Sequence, residues 1–309
     1  MTGSADAGGR VPDFFIVGHQ KSGTSALYEM LRTHPQVFMP DLKEPKFFGA
    51  DLPARTEPDP SRGLPATLAD YRALYRDAGS RVAGDASPTY INSRLAAREI
   101  AGQRPDAKVI AIFREPASFI RSLHLQMVQS RVEDETDLGR ALEGESVTRG
   151  GETVRRYSDQ VRYTEQIERF EESFPPEQLM VLIYDDFRAD NAATLRRVLA
   201  FLGVDEELEL KAQEVNPAVR VRNPGLDRMV HRVSAGSGPF SRAVKRVTPQ
   251  GIRRRALQAT QQKLLWAEPQ AADEQFMAQL RERFRGEVDR FGAHIGRDLI
   301  GLWGYGTGD

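Results

Sequence analysis

The feature that most constrains the fold is a short apolar run that leads into a glycine-containing loop and then into a helical pattern. Residues 14–17 are Phe-Phe-Ile-Val, and residues 18–25 (GHQKSGTS) separate them from apolar residues at helical spacing. A continuous apolar run is typical of a strand buried on both faces of a parallel sheet. A strand, a loop and a helix in this order direct backbone N–H groups and the positive helix end at one point, which predicts a phosphate site.

The loop also carries side chains that suit an anion. Gly18 and Gly23 permit tight turns, Thr24 and Ser25 carry hydroxyl donors, and Lys21 adds a mobile positive charge. The glycines match the spacing of the nucleoside-triphosphate loop G-x-x-x-x-G-K-[ST], but the lysine stands inside the loop and position 24 is threonine. We therefore expect the lysine to lie over a different part of the ligand. The alternative is a strand, a turn and a helix without a ligand.

A second strand end supplies another candidate phosphate site. Residues 108–113 (KVIAIF) are followed by Arg114, by Pro116 at a position that suits the first turn of a helix, and by Ser122. Ligands of doubly wound sheets bind beyond the carboxyl ends of the strands, so Arg114 is expected to face the same crevice as the first loop. Arginine binds phosphate oxygens in pairs, and the serine can add a hydroxyl. Two such sites suit a nucleotide phosphorylated at both the 5′ and 3′ positions; the alternative is an arginine that forms a salt bridge with a neighbouring loop.

Strand and helix patterns alternate along the first two thirds of the chain, and 309 residues are enough for one large domain. We predict an α/β fold in a single domain over 12–309, with a P-loop-like parallel sheet flanked by helices and a helical C-terminal extension, after a disordered segment at 1–11. Residues 133–153 are predicted to be a loop with a helical segment at 137–145, and no clear strand is expected beyond residue 205. Further strands are predicted at 81–84 and 179–183, and helices at 67–77, 92–103, 157–173, 194–202, 225–265 and 270–295.

The composition narrows the chemistry. The chain has no cysteine, which excludes disulfides, thiolate catalysis and cysteine-based metal sites, and its five histidines show no metal-ligand spacing. A net charge of −1 favours neither nucleic acid nor membrane as a partner. The sequence contains no apolar stretch long enough to cross a bilayer, and its first residues lack the apolar core of a signal peptide. We predict a cytoplasmic protein without a metal ion, a nucleic-acid partner or a transmembrane segment.

Taken together, these motifs resemble those of sulfotransferases that use 3′-phosphoadenylyl sulfate, in a bacterial branch related to the heparan-type enzymes. Residues 21–25 (KSGTS) look like the 5′-phosphosulfate loop of that family, and Arg114 through Ser122 resembles its 3′-phosphate motif. The resemblance implies transfer of a sulfonate group to a hydroxyl or amine of a carbohydrate, lipid or natural-product acceptor, with release of adenosine 3′,5′-bisphosphate. It implies that the donor is bound by Lys21, Ser22, Gly23, Thr24, Ser25, Arg114 and Ser122.

Later segments extend the resemblance to about residues 13–305. Residues 182–187 (LIYDDF) are similar to the third strand of the family, whose tyrosine approaches the adenine, and this position is Tyr184. Residues 201–203 (FLG) resemble the segment that follows. The terminal residues 296–299 (GRDL), with Trp303, look like the end of the bacterial and heparan-type branch.

Sulfonyl transfer requires a base for the acceptor and stabilisation of the charge on the departing phosphate. Lys21 is predicted to stabilise the leaving group and the transferring sulfonyl. Residues 43–48 (KEPKFF) resemble the K-E-x-x-F-F element of the heparan-type enzymes, whose glutamate is the proposed base, and the resemblance gives this role to Glu44. Apolar Phe47 and Phe48 are expected to raise the pKa of this glutamate toward neutral pH. The alternative is an exposed Lys–Glu pair.

Two other residues are candidates for the base. The heparan-type enzymes carry a second functional lysine just before an S/T-P-x-Y run, whereas this chain has Asp85 and Ala86 before residues 87–90 (SPTY). Asp85 is therefore an alternative base or a contact to the acceptor. His124, two residues after Ser122, is a third candidate, although a histidine in a helix is more often a packing residue.

Residues 220–263 contain eleven Lys or Arg and one acidic residue. A basic helical cap over about 220–265 is one interpretation, with Arg222 (or Arg220) assisting the 3′-phosphate. A peripheral surface for an anionic acceptor or lipid headgroups is another, and solvated helix faces are the third.

Two other functions remain open at this point. A P-loop small-molecule kinase is supported by the apolar strand at 179–183, which is followed by paired aspartates like a magnesium-binding strand end. A nucleotide-binding regulator without chemistry is the second.

Overall fold

A computed structural model describes residues 9–56, 63–130, 132–144, 146–149, 152–206, 220–221, 266–267 and 274–306. The strands are β1 (Phe14–Gly18), β2 (Val37–Phe38), β3 (Val82–Asp85), β4 (Lys108–Phe113), β5 (Ser146–Arg149), β6 (Glu152–Arg156), β7 (Leu179–Ile183), β8 (Arg220–Val221) and β9 (Trp266–Ala267). The α-helices are α1 (Thr24–Arg32), α2 (Pro53–Thr56), α3 (Leu68–Ala73), α4 (Ala96–Gln103), α5 (Pro116–Gln129), α6 (Leu138–Glu143), α7 (Tyr163–Glu171), α8 (Tyr184–Ala189), α9 (Asn191–Leu202), α10 (Glu274–His294) and α11 (Leu299–Trp303).

The main sheet is parallel and has the order β2-β3-β1-β4-β7. Strand β4 pairs with β1 from Lys108 to Ile112 and with β7 from Val109 to Phe113. Because the pairings are parallel, the carboxyl ends of these three strands lie at one edge of the sheet. The loop after β1, Arg114 after β4 and Tyr184 after β7 therefore leave the sheet at the same edge.

The central strands divide their side chains between two apolar layers. Phe15 and Val17 of β1 lie in the layer that also contains Phe284, Val288 and Phe291 of α10. The alternate residues of β1 lie in the opposite layer, together with apolar residues of α1 and α9. This alternation follows the two-residue period of a strand. It explains why the runs 14–17 and 108–113 are apolar throughout, since both faces of the sheet are covered.

The predicted α/β fold, with its parallel sheet flanked by helices and its helical C-terminal segment, is confirmed. The predicted strand at 108–113 has the observed bounds, and the helix predicted to end before Gly203 does so, with that glycine at φ 77°. No helix among the described residues is long and apolar enough to cross a membrane. Residues 9–11 of the segment predicted to be disordered are described, and Val11 is 5% exposed within the core. For residues 1–8, which lie outside the described part of the chain, disorder stays a prediction.

Some local predictions were wrong. The segment predicted to be a loop with one helix contains α6 and then an antiparallel hairpin of β5 and β6. A Gly-Gly pair at 150–151 between runs that contain Val and Thr is a hairpin signal that this interpretation missed. The predicted helices at 92–103 and 157–173 begin later as α-helices, at Ala96 and Tyr163, after 3-10 turns. A two-residue ladder joins β8 to β9, where no strand was expected.

Candidate functional site

The loop after β1 can be built only with glycine at its two ends. Gly18 has φ 126°, and a Cβ there would lie 2.3 Å from the carbonyl oxygen of Ile112. Gly23 has φ 85°, and a Cβ there would lie 2.8 Å from a ring carbon of Phe187. Side chains rarely adopt such φ values, and the neighbours leave no space for one. The two glycines therefore hold the loop against β4 and α8.

The loop presents hydrogen-bond donors that are left for a ligand. Gly23 precedes α1, no side chain caps this helix end, and its first turn contains no acidic residue. The first N–H groups of a helix have no partner within the helix. The hydroxyl oxygen of Ser22 is buried and has no hydrogen-bond partner among the described residues. Uncapped amides and an unpaired buried hydroxyl at a helix N-terminus fit an anion.

Two cations lie beside this helix end. Nη1 of Arg114 donates to the backbone carbonyl of Lys21 at 2.8 Å, and its guanidinium lies 4.9 Å from the ring centroid of Tyr184. Lys21 itself has a positive φ of 66°. Burial lowers the pKa of Lys21, and the charge of Arg114 lowers it further. The structure thus brings these three predicted residues together, and two like charges in a partly buried place are unfavourable unless an anion neutralises them.

The start of α5 differs from that of α1. The side chain of Glu115 accepts hydrogen bonds from the backbone N–H groups of Ala117 and Ser118 at 2.9 and 2.6 Å. This helix end is therefore capped by the protein. Ser122 lies in the same helix and is 9% exposed. Of α1 and α5, α1 is therefore the helix whose N-terminus has no side-chain cap and no acidic residue beside it.

The segment that contains Glu44 is bonded directly to the phosphate loop. Nζ of Lys43 donates to Oγ of Ser25 and to Oε1 of Glu44, both at 2.9 Å. Nζ of Lys46 lies 3.0 Å from Oε2 of the same carboxylate. Glu44 and Lys46 have positive φ values of 58° and 53°, which are costly for side-chain-bearing residues. A strained turn thus holds a carboxylate between two lysines, beside the loop. Sequence reasoning had not assigned Lys46 a role.

The expected rise in the pKa of Glu44 was wrong. Burial by itself would raise this pKa, but Lys46 and Lys43 together outweigh burial, and the pKa of Glu44 is lowered. The sequence-based expectation was that the apolar side chains of Phe47 and Phe48 would determine the pKa of Glu44. The two ammonium groups decide it instead, because an opposite charge at hydrogen-bond distance favours the ionised form.

Asp85 lies at the end of β3 and is fully buried. Its carboxylate accepts hydrogen bonds from the hydroxyls of Tyr71 and Ser87, both at 2.7 Å, and of Tyr90 at 3.0 Å. Burial raises the pKa of Asp85 to about 6, although these three donors oppose the rise. The hydroxyls of Ser87 and Tyr90 also contact the backbone of the segment that contains Glu44. Oγ of Ser87 accepts from the backbone N–H of Lys46 at 3.0 Å, and the Tyr90 hydroxyl accepts from the next N–H at 2.9 Å.

A sequence model of the sulfotransferase family matches residues 12–207, more than half of the chain. The chain belongs to the sulfotransferase family. This confirms the resemblance that the motifs indicated.

Relatives and solved structures agree with the family. Human heparan sulfate glucosamine 3-O-sulfotransferase 3B1 is 28% identical over 197 residues, which cover 63% of this chain and 47% of the relative. Human bifunctional heparan sulfate N-deacetylase/N-sulfotransferase 3 is 28% identical over 206 residues, with coverage of 63% and 22%. The chain thus spans less than half the length of these curated relatives. A solved sulfotransferase of Alicyclobacillus acidocaldarius shares the fold, with a TM-score of 0.66 at 23% identity over 95% of this chain and 98% of the other.

Two histidines of this sulfotransferase-family chain, His19 after β1 and His124 in α5, have protein partners. Nδ1 of His124 lies 2.7 Å from the Tyr157 hydroxyl and Nε2 lies 3.3 Å from the carbonyl of Thr136. Burial lowers the pKa of His124. His19, in the phosphate loop, packs against the rings of neighbouring aromatic residues, and burial lowers its pKa to about 3. Both imidazoles therefore have packed, hydrogen-bonded positions.

The paired aspartates after β7 are also engaged. Asp186 forms two hydrogen bonds with the guanidinium of Arg297, one of them at 2.7 Å, and Nε1 of Trp303 donates to Asp185 at 2.9 Å. In the part of the chain that the structure describes, no group of three or more acidic or histidine side chains is placed to hold a metal ion. Arg222 lies outside the described residues.

Proposed function

We propose that this chain transfers a sulfonate group from 3′-phosphoadenylyl sulfate to a hydroxyl or amine of an acceptor. One observation carries the proposal: Lys43 joins Ser25 of the anion-binding loop to the carboxylate of Glu44. A carboxylate that can take a proton and a loop that can hold a phosphosulfate are thus parts of one hydrogen-bonded unit. Family membership supports this chemistry.

The donor is proposed to bind across the carboxyl ends of β1, β4 and β7. The N-terminus of α1, with the hydroxyls of Ser22, Thr24 and Ser25, receives the 5′-phosphosulfate. Arg114, with Ser122, receives the 3′-phosphate, and Tyr184 lies beside the adenine. Burial and the charge of Arg114 lower the pKa of Lys21, and an anion between the two cations would offset both effects. A contact of Arg222 with the 3′-phosphate stays a prediction.

The reaction assigns a role to each charged group. Glu44 is ionised at neutral pH, since its pKa is lowered, and it takes the proton of the acceptor hydroxyl. The acceptor oxygen then forms a bond to sulfur while the bond from sulfur to the phosphate oxygen breaks. Lys21 stabilises the negative charge that develops on that phosphate oxygen. The products are a sulfate ester and adenosine 3′,5′-bisphosphate, and the proton remains on Glu44 until water removes it.

The proposal also includes the class of acceptor and the location of the protein. The names of the relatives favour a carbohydrate acceptor over a lipid or natural product. A cytoplasmic location and a peripheral contact through the basic segment 220–263 stay predictions, because most of that segment lies outside the described residues.

The kinase alternative receives no support from the site. A kinase would use an aspartate after β7 to hold magnesium, but Asp185 and Asp186 are occupied by Trp303 and Arg297. The lysine also lies before the second glycine of the loop rather than after it.

The proposal is tested with sulfur-labelled donor and an acceptor panel of glucosamine oligosaccharides, phenols and long-chain alcohols. We expect acceptor-dependent release of adenosine 3′,5′-bisphosphate and label in one acceptor class, with no loss of rate in EDTA and no hydrolysis of ATP. Magnesium-dependent ATP turnover would contradict the proposal in favour of a kinase. Tight nucleotide binding without transfer to any acceptor would favour a regulator.

Lys21→Met should lower kcat by about 10²- to 10³-fold, the effect of removing one donor to a developing oxyanion. The fold should not suffer, because Lys21 is a partly desolvated cation beside another cation. Lys21→Arg is the matched control, since it keeps the charge but not the compact ammonium, and we expect partial activity. Steady-state kinetics and melting temperatures check both variants. Full activity of Lys21→Met would exclude this role for the lysine.

A further inference from the structure

Three carboxylates lie directly after two of the proposed nucleotide-binding residues. Glu115 follows Arg114 at the end of β4, and Asp185 and Asp186 follow Tyr184 at the end of β7. The two strands are neighbours, and their last residues, Phe113 and Ile183, are paired in register. The carboxylates therefore lie at the edge of the sheet where a doubly phosphorylated nucleotide is proposed to bind.

This arrangement is unfavourable for such a ligand unless the carboxylates are compensated. Charges that are partly shielded from water act on one another over several ångströms. The negative charge of Glu115 is partly compensated by the N-terminus of α5, which its side chain caps. The two aspartates after Tyr184 lie in the first turn of the short helix α8, whose positive end offsets only part of their charge.

One segment near the C-terminus reaches all three carboxylates. Arg297 pairs with Asp186 through two N–H groups, and Trp303 donates to Asp185. Tyr305 donates its hydroxyl to Glu115. We call Arg297, Trp303 and Tyr305 the C-terminal clasp.

A short capped helix, α11, holds the clasp residues in place. Helix α11 begins with Asp298 as its N-cap, whose side chain accepts from the N–H of Gly301, and it ends at Gly304 with φ 69°. Trp303 and Tyr305 are 6% and 3% exposed, so they are packed rather than lying loosely on the surface. Leu299 of the same helix belongs to the core layer that contains α10.

We propose that the C-terminal clasp tunes the nucleotide site: it neutralises Asp186 and holds Asp185 and Glu115 by hydrogen bonds, so that these carboxylates compete less with a phosphorylated nucleotide for Arg114. The clasp residues are positioning residues, which act through their carboxylate partners. Arg297 has the main electrostatic part, because it is the cation of the three. This inference rests on the proposed function, since it assumes that the nucleotide binds at this edge.

A second consequence concerns the guanidinium of Arg114. The guanidinium of Arg114 packs on the ring of Tyr184. The aspartates one and two residues after that tyrosine would compete for the guanidinium if their own charge were not compensated. A paired Asp186 leaves Arg114 available for a phosphate. The clasp is thus expected to affect affinity for the nucleotide more than the chemical step.

Two single variants break the same ion pair with opposite electrostatic results, and they test the inference. Arg297→Met leaves the Asp186 carboxylate without its ion-pair partner, although the charge of Arg197 still acts on it, whereas Asp186→Asn removes that carboxylate. Adenosine 3′,5′-bisphosphate is titrated into the full chain by calorimetry at low and at high salt. We expect Arg297→Met to weaken binding roughly tenfold at low salt and less at high salt. Asp186→Asn should bind within about threefold of the unchanged protein.

The double variant and a surface control complete the experiment. Asp186→Asn combined with Arg297→Met should restore the affinity that Arg297→Met lost, although the ion pair is still absent. Arg290→Met, which removes the exposed partner of Glu287 on α10 and leaves the hydrogen bonds from Thr164 to that glutamate in place, should leave binding unchanged. Melting temperatures identify any variant that is merely unstable, and the double variant decides the question if one of the single variants unfolds.

The outcomes separate this inference from the function beneath it. Equal weakening by both single variants, or a double variant as weak as Arg297→Met, would show a purely structural clasp and overturn the inference alone. Nucleotide binding by Arg297→Met equal to that of the unchanged protein would also overturn it. An unchanged protein that bound no nucleotide would overturn the proposed function and the inference with it.

Discussion

Glu44 is partly buried in a loop and Asp85 is fully buried at the end of β3, and the surroundings of these two carboxylates are opposite. Two lysines hold Glu44, and its pKa is lowered. Three hydroxyls hold Asp85, and burial still raises its pKa to about 6. Hydroxyl donors compensate only part of the lost hydration of a carboxylate, whereas cations at hydrogen-bond distance compensate more than all of it. The kind of partner therefore decides which acid is ionised at neutral pH.

The two regions also differ in what they face. Glu44 is bonded to the anion loop through Lys43. Asp85 is fully buried, and its partners Ser87 and Tyr90 accept hydrogen bonds from the backbone of the Glu44 segment. We interpret Glu44 as the base and Asp85 as a residue that supports the strained turn on which Glu44 stands. Each of the three experiments below can break this division.

Glu44→Gln has the largest expected effect. Glutamine keeps the size of the side chain but cannot take a proton, so kcat should fall by about 10²- to 10³-fold, as for other general bases. Binding of adenosine 3′,5′-bisphosphate should stay within about threefold. Kinetics with the acceptor found in the panel, together with calorimetry, check this.

The control for this variant is Glu99→Gln. Glu99 accepts from the backbone N–H groups of Gly49 and Ala50, a few residues farther along the same segment, so it reports damage to the segment without loss of a base. Equal losses of kcat in the two variants would show that Glu44 has only a structural role. A normal rate of Glu44→Gln would move the role of base to Asp85.

Residues whose place follows from a strand end or a glycine pattern could be predicted, whereas side-chain pairings set by the local backbone conformation or by distant segments could not. The phosphate loop and Arg114 were predictable because strand, glycines and strand end fix their place relative to the sheet. The direction of the Glu44 pKa was not, because it depends on Lys46 returning to the carboxylate through a backbone of positive φ. Residues 296–299 and Trp303 were recognised as a family resemblance, but the partners of the clasp at 115, 185 and 186 are more than 100 residues away from it.

Asp85→Asn is expected to change the pH dependence of stability. The folded-state pKa of Asp85, about 6, lies above the value near 3.9 expected for the unfolded chain. The stability that this group contributes is therefore complete below about pH 4 and is lost as the pH rises through 6, by up to roughly 3 kcal/mol. Asp85→Asn should flatten this part of the profile. Glu44 has the opposite sign: its contribution is present at neutral pH and is lost on acidification.

Urea unfolding between pH 4 and 7.5 measures this difference. Asp41→Asn is the control, because Asp41 is an exposed acid paired with Arg32 at the surface, and its variant should keep the profile of the unchanged protein. A profile of Asp85→Asn that falls with pH as steeply as before would mean that Asp85 is ionised throughout this range. The contrast between the two acids would then be lost.

His124→Phe has the smallest expected effect on the reaction. Both ring nitrogens of His124 have protein partners. The variant therefore removes one hydrogen bond of the Thr136 carbonyl and one of the two hydrogen bonds of the Tyr157 hydroxyl. Such a loss costs about 1–2 kcal/mol, which corresponds to a fall in melting temperature of roughly 2–6 °C in a domain of this size. With the nucleotide and acceptor sites intact, kcat/KM should stay within about threefold. A hundredfold loss of kcat at an unchanged melting temperature would make His124 the base and leave both carboxylates with supporting roles.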